Sequence, residues 1–368
     1  MPDTTTVEWT ATRLEDGTVL PGFTFNPWTG CTKVSPACRN CYAEGFARRN
    51  SKVFGQWGPG SNRKRTSDAN WRKPLKWNRE AETAGIRRKV FCASMADVFE
   101  DRPELEPWRL DLWRLIEQTP HLDWLLLTKR TDVMAKWAKA HGWPANAWAG
   151  TTVEDQQRAD ERIPHLLRVP ADVRFLSCEP LLGPLDLHEW LSYNHGQVCC
   201  SYPLCGCGGQ EDAFHGIDWV IAGGESGPNA RPSHPDWFTD LAEQCEYAHF
   251  FFKQWGAWGP RSSGHHIDNA VPRVKLDETG RNTATDVVVA GVPGLGTGHS
   301  PVWMNRVGKK RAGRQLDGRT WDQVPEATQC PTQCERTHSW SAASSSPTSS
   351  AGPVRRSTPP SGSSSNTQ

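Results

Sequence analysis

The chain has 368 residues, enough for one large α/β domain or two ordinary ones. Its 42 basic and 41 acidic side chains nearly cancel, so no global field draws it onto nucleic acid or an anionic membrane, and any such affinity has to be local. Without an apolar run of about 18 residues or the basic and apolar regions of a signal peptide, it offers no candidate membrane span and reads as cytoplasmic.

In chain order, a short first strand is expected around Val19 to Phe25. Three cysteines then fall within eleven residues, Cys31, Cys38 and Cys41, spaced C-x6-C-x2-C. They supply three thiolates and no fourth ligand nearby, whereas a closed structural zinc site wants four. An open coordination position is what a cluster needs when its remaining metal is to hold a substrate or cofactor. The expectation is therefore an iron–sulfur enzyme with Cys31, Cys38 and Cys41 as metal ligands. The chain's twelve cysteines, without an export signal, read as metal ligands or reduced thiols rather than disulfides.

The segment Arg63 to Lys89 carries ten Lys/Arg against three acidic residues, with Trp71 and Trp77 among them. It could contact phosphate and stack on bases, or it could be a solvated basic stretch. Apolar runs follow at Lys89 to Ala93, Trp124 to Leu127, Ala147 to Gly150, Val173 to Leu176, Trp219 to Ala222 and His249 to Phe252. Helix candidates lie between them at Pro107 to Glu117, Asp132 to Ala140, Asp155 to Leu167 and Asp236 to Cys245. Continuous apolar strands alternating with helices predict a parallel sheet covered on both faces. The fold class is thus α/β, a complete or partial TIM-like barrel of six to eight βα units. Most of the nineteen tryptophans should be packing residues or walls of a cleft.

Polar residues recur just after each strand: Ser94 and Asp97; Thr128, Lys129 and Arg130; Thr151, Thr152 and Glu154; Ser177 and Glu179; Glu225 and Ser226; Lys253 and Gln254. In parallel α/β architectures that rim is where ligands bind. Any one of them alone could equally be a helix cap or a loop charge. By position, Ser94, Asp97, Thr152, Glu154, Glu179 and Glu225 are candidates to bind a cofactor. Lys129, Arg130, Lys253 and Gln254 would face an anionic or amide-bearing substrate. A Gly/Cys-rich insertion at 193–210 carries Cys199, Cys200, Cys205 and Cys207, which could close a small zinc site. The ordered domain should span 1–325. Beyond it, 326–368 reads as a disordered tail, since twelve of the last thirty residues are serine.

The phrase Asn26-Pro27-Trp28-Thr29-Gly30-Cys31, ending in Cys38-Arg39-Asn40-Cys41-Tyr42-Ala43-Glu44, resembles the opening of radical S-adenosylmethionine enzymes, particularly the spore-photoproduct-lyase-like branch. Those enzymes usually space their cysteines C-x3-C-x2-C, and three extra residues stand here between the first two. A second resemblance covers nearly the whole ordered chain. It rests on Trp28 to Pro36, Ser94 to Phe99, Leu127 to Arg130, Gly150 to Glu154, Ser177 to Pro184, Gly223 to Gly227, Phe252 to Gly256 and Gly308 to Gly318. Together these look like a phage-protein family of unknown function, the three-cysteine-motif proteins of phages, prophages and bacteria.

The first resemblance implies a [4Fe-4S] cluster on Cys31, Cys38 and Cys41, S-adenosylmethionine on its unique iron, an external electron donor and a 5′-deoxyadenosyl radical. The substrate stays open, with nucleic acid as one candidate. In such enzymes a Gly-Gly-Glu sequence that binds the cofactor's amino group follows the second strand; Gly223-Gly224-Glu225 follows about the sixth, so that role is not carried over. Two alternatives remain. One is a zinc-binding phage or defence-associated protein without catalysis, taking a fourth ligand such as Cys178 or His234. The other is a barrel whose cluster is a structural or redox element.

Overall fold

Seven runs of largely apolar sequence pair side by side, all parallel, into one sheet whose strand order is the chain order. They are β1 (Phe23–Thr24), β2 (Arg88–Cys92), β3 (Leu122–Thr128), β4 (Ala147–Thr152), β5 (Arg174–Cys178), β6 (Trp219–Gly223) and β7 (His249–Gln254). The connecting helices are α1 (Tyr42–Arg49) and α2 (Lys73–Thr83) after β1, α3 (Glu106–Glu117), α4 (Thr131–His141), α5 (Gln156–Leu166), and α6 (Pro235–Gln244) before β7. The structure is a computed structural model and describes residues 4–191, 216–260, 273–277, 279–280 and 302–325. The chain divides into units Met1–Gln329 and Cys330–Gln368, the second outside the described residues, as are the cysteine-rich insertion 193–210 and the tail 326–368.

Alternate side chains of each strand go to opposite faces. One set, including Trp124, Leu126, Ala149, Leu176, Cys178, Val220, Phe250 and Phe252, packs with Leu112, Ile116, Met134, Ile163, Phe238 and Leu241 of the helices. The other set, Phe91, Leu125, Trp148, Phe175, Trp219 and Phe251, meets inside the curl of the sheet. Burial on both faces explains why the strands read as continuous apolar runs. Trp9, on the turn Glu8–Thr10, fills the inner face, its ring 4.9 Å from Phe91 and 6.1 Å from Trp219 in edge-on contacts. The interior is therefore a packed aromatic floor rather than a pore.

The sheet is a curled half-barrel: β1 and β7 are its two ends and do not pair. At the β7 end the Phe252 N–H donates to Trp321 O at 3.1 Å, and the Phe250 N–H to Gln323 Oε1 at 2.7 Å, so residues 321–323 blunt that edge. Of the alternatives foreseen, the partial barrel is the one found.

Two elements differ from expectation. The run Val19 to Phe25 is split: Val19–Leu20 pairs antiparallel with Thr12–Arg13, and only Phe23–Thr24 joins the sheet. Pro21 and Gly22 separate the two halves, as the ring that fixes φ and the residue with no Cβ would. A three-stranded antiparallel sheet of Gly259–Pro260, Arg273–Leu276 and Val302–Asn305 was not foreseen; Trp258, Leu276, Met304 and Ala230 form its core.

The basic segment is mostly committed internally. Arg65 pairs with Asp111 at 3.0 Å and lies over the Trp71 ring, while Arg87 pairs with Asp123. Trp77 stacks on Phe23 with centroids 4.4 Å apart, and Trp71 meets Phe25 edge-on at 5.4 Å. Both tryptophans thus pack against the first strand of the sheet. No helix among the described residues is long and apolar enough to cross a membrane.

The inner floor has one position with no room for a side chain. A Cβ on Gly150 would sit 2.2 Å from the Phe175 ring. Gly150→Ala should therefore cost about 1–3 kcal/mol by overpacking, read as a lowered urea midpoint with unchanged slope; an unchanged midpoint would contradict this packing.

Candidate functional site

The three-cysteine loop begins with its approach pinned to the sheet. Trp28–Thr29 pairs antiparallel with Lys64–Arg65, and the Gly30 N–H donates to Met95 O at 3.0 Å beyond β2. Gly30 has φ +109, where an L side chain is strained, and a Cβ there would meet Arg63 Cδ at 2.9 Å. Cys31 follows, Cys38 closes the short 3-10 turn Pro36–Cys38, and Cys41 is the residue before α1. All three are half-buried free thiols.

Four arginine–carboxylate pairs hold this loop across the carboxyl ends of the strands. Arg63 and Glu100 make a two-pronged pair at 2.6 Å each, and Arg63 Nη2 also donates to Thr32 Oγ1 at 2.8 Å. Arg130 donates from Nη1 to Asp97 Oδ2 at 2.6 Å and from Nη2 to Thr32 O at 2.7 Å. Arg162 of α5 donates to Glu154 Oε2 at 2.9 Å, and Glu154 Oε1 accepts the Ala37 N–H at 3.1 Å. Arg231 grips Glu225 through Nη2 at 2.6 Å and Nε at 2.8 Å and reaches Pro36 O at 3.1 Å. Glu225 also accepts from Asn40 Nδ2 at 3.1 Å. The loop is thus tied to the ends of β2, β3, β4 and β6.

Such pairs contribute little net stability, because stripping water from both charges offsets their attraction; removing one partner, however, strands a buried charge. Their consequence is geometric. A guanidinium fork fixes both the distance and the plane of its carboxylate, so each pair gives the loop a rigid anchor.

The predicted rim residues sort into two sets. Asp97, Glu154, Glu225 and Arg130 have their polar atoms committed to the clamp. Asp97 alone accepts from Thr128 Oγ1, the Phe99 and Lys129 N–H groups and Arg130. The second set lines the inner wall above the aromatic floor. Lys129 Nζ donates to Thr152 Oγ1 at 3.2 Å, Lys253 Nζ pairs with Glu179 Oε2 at 2.6 Å, and Gln254 Nε2 donates to Glu179 Oε1 and Ser226 Oγ at 3.1 Å each. Ser94 lies between them, its hydroxyl accepting from Asn26 Nδ2 at 3.1 Å and its carbonyl from the Tyr42 hydroxyl at 3.1 Å.

The sequence reading missed Arg63, Glu100, Arg162, Arg231, Thr32 and Asn40. Arg162 carried a signal: it falls on the face of α5 that buries Ala159, Ile163 and Leu166, where an arginine needs a partner. Arg63 and Arg231 carried none in their neighbourhoods.

Burial first, and Asp97 next, push the Cys31 thiol up to about 12, against the pull of Arg130. Burial also works to raise Glu154, but Arg162, the Ser35 hydroxyl and the Ala37 N–H overcome it and hold that carboxyl below the usual range. The fourth ligands considered for zinc do not serve. Cys178 is buried in the apolar layer beneath the helices, its thiol pushed well above the ordinary value by that burial. His234 caps α6, its Nδ1 accepting the Asp236 N–H at 3.3 Å. Among the described residues no three His, Cys, Asp or Glu side chains are placed to hold a single metal ion; the zinc site suggested at Cys199, Cys200, Cys205 and Cys207 lies outside them.

A family model described as "Protein of unknown function (DUF5131)" matches residues 4–325. No curated protein matches the chain. Among solved structures, a cysteine-to-alanine mutant of spore photoproduct lyase with dinucleoside spore photoproduct is 12% identical, with a TM-score of 0.33, over 62% of this chain and 55% of that one. A double mutant of that lyase with bound AdoMet and the dinucleoside photoproduct gives 12% identity and 0.34 over 67% and 59%. A tyrosine-to-phenylalanine mutant gives 13% and 0.34 over 67% and 66%. The chain thus spans little more than half the length of the first of these proteins.

Because the folded Glu154 carboxyl titrates below its unfolded counterpart, its contribution is fully present above about pH 4.3 and is lost as pH falls through the lower folded value. Glu154→Gln strands Arg162 and should cost about 3–5 kcal/mol at pH 7. The gap between the urea midpoints of the two proteins should narrow as pH is lowered below that window; a gap constant with pH would contradict the pairing.

Proposed function

This chain belongs to the DUF5131 family of proteins of unknown function, and we propose that it is a radical S-adenosylmethionine enzyme whose cluster is held by Cys31, Cys38 and Cys41. The observation that carries the reading is the placement of the loop. Three free thiols sit on a loop that buried arginine–carboxylate pairs hold at the carboxyl-end mouth of a curled parallel sheet, where ligands of such sheets bind.

The donor set fits a cluster better than a zinc ion. Around one zinc the sulfurs would converge at bond lengths of about 2.3 Å, whereas a cluster takes each thiolate on a different iron and leaves the remaining iron open. A [4Fe-4S] cluster with S-adenosylmethionine supplies a one-electron cleavage that yields an organic radical, and the protein supplies binding, orientation and shelter from water.

The chain's own residues divide that work. Asp97 and Glu225 act on the loop through Arg130 and Arg231, and Glu154, held by Arg162, binds the Ala37 N–H directly; all three are positioning residues. Ser94, Thr152 and Glu179 remain to meet the cofactor's polar atoms. Glu179 is oriented by Lys253 and Gln254. Lys129 differs from Lys253: among the described residues its ammonium donates to the Thr152 hydroxyl and is close enough to Glu154 to help lower that carboxyl, but makes no contact ion pair. A substrate with an anionic group would balance it, and a nucleic-acid phosphate is one such group. The aromatic floor beneath closes the inner face to water from below. An external one-electron donor is required.

Anaerobically reconstituted protein should be brown and carry about four irons per chain. Reduction in the presence of S-adenosylmethionine should release 5′-deoxyadenosine without added substrate, and Cys31→Ala, Cys38→Ala or Cys41→Ala should abolish both colour and product. Colourless protein with one zinc per chain would overturn the reading.

A further inference from the structure

We propose that Arg130 and Asp97 form an electrostatic couple that sets the reduction potential of the iron–sulfur centre on the three-cysteine loop, with opposite signs; the inference rests on the cluster reading above. Arg130 stands at the carboxyl end of β3 and is the one clamp arginine whose guanidinium approaches a cysteine sulfur among the described residues, Nη1 lying 3.9 Å from Cys31 Sγ.

Its orientation is over-determined. Nη1 donates to Asp97 Oδ2 at 2.6 Å and Nη2 to Thr32 O at 2.7 Å, while Glu100 Oε1 lies 3.9 Å from Nη2. The backbone joins in: the Arg130 N–H donates to Thr128 Oγ1 at 2.9 Å, and that hydroxyl donates to Asp97 Oδ1 at 2.6 Å. Both partners are nearly buried, with side-chain exposures of 11% and 8%. A fixed cation paired with a fixed anion therefore stands near the first sulfur, screened from solvent.

Reduction adds a negative charge to a cluster, and potentials respond to nearby charge and to hydrogen bonds on the sulfurs. A guanidinium donating toward a thiolate stabilises the reduced state, and a carboxylate nearby disfavours it. In a partly dry site neither effect is strongly screened. A loop anchor of purely structural value would not have this signature. Removing either partner would loosen the loop, with no reason for the potential to move in opposite directions.

The test is a potentiometric titration of anaerobically reconstituted full-length protein, followed by visible absorbance and electron paramagnetic resonance at matched iron content. Arg130→Gln should shift the midpoint to more negative potential, Arg130→Lys should return it most of the way, and Asp97→Asn should shift it to more positive potential. If Arg130→Gln fails to retain iron, Asp97→Asn carries the sign test alone, and a midpoint no more positive than the wild type overturns the couple. Arg130→Gln and Asp97→Asn midpoints that coincide with the wild type, or that move together, overturn the couple while leaving the cluster reading intact. Wild-type protein that takes up no iron overturns that reading, and the couple with it.

Discussion

Everything at the mouth of this sheet depends on buried guanidinium–carboxylate pairing. Four arginines, Arg63 in the first crossover, Arg162 in the fourth, and Arg130 and Arg231 beyond the ends of β3 and β6, meet four carboxylates that the strands deliver to one rim. Each pair gives up hydration on both sides, and the Arg63–Glu100 pair is almost wholly buried. Water-exposed lysines could have supplied the charge more cheaply in desolvation, but not the planar fork. What the arrangement secures is a loop of about a dozen residues, Gly30 to Tyr42, whose backbone is addressed from several strands at once at Thr32, Pro36 and Ala37.

Beneath that cap the molecule is layered. The floor is aromatic and dry, closed by Trp9 from a segment far from the strands in sequence. Above it, the inner wall turns polar within a residue or two: Leu127 gives way to Lys129, Gly150 to Thr152, and Phe175 and Ser177 to Glu179. The alternation that puts apolar rings at the bottom of each strand puts a hydrogen-bonding group at its top. A reactive centre held between this wall and the loop would have fixed polar groups on one side and a rigid backbone on the other.

Much of the architecture was legible because it is local. The runs at Ala147 to Gly150 and Trp219 to Ala222 are apolar at successive positions, as suits strands buried on both faces and alternating with helical stretches. Asp155 announced the start of α5 as its N-cap, its side chain accepting the Arg158 N–H at 3.0 Å. The rim carboxylates were legible as positions, but their arginine partners were not. Whether Asp97 or Glu154 faces a ligand or an arginine depends on partners that topology brings together, such as Ala37 and Glu154, 117 residues apart. Val19 to Phe25 misled because its composition suits a strand while Pro21–Gly22 divides it. The sheet formed by Gly259–Pro260, Arg273–Leu276 and Val302–Asn305 escaped notice because its strands are short and far apart in the chain.

The central claim is that the clamped thiols present a metal with one open position to a sulfonium cofactor at the mouth of the sheet. The most direct measurement is electron–nuclear double resonance on the reduced, reconstituted protein with S-adenosylmethionine labelled with nitrogen-15 at its amino group. The account predicts a hyperfine coupling from the label to the cluster, lost when unlabelled cofactor replaces it. A reduced cluster whose spectrum is indifferent to the cofactor, with no coupling to the label, would contradict it.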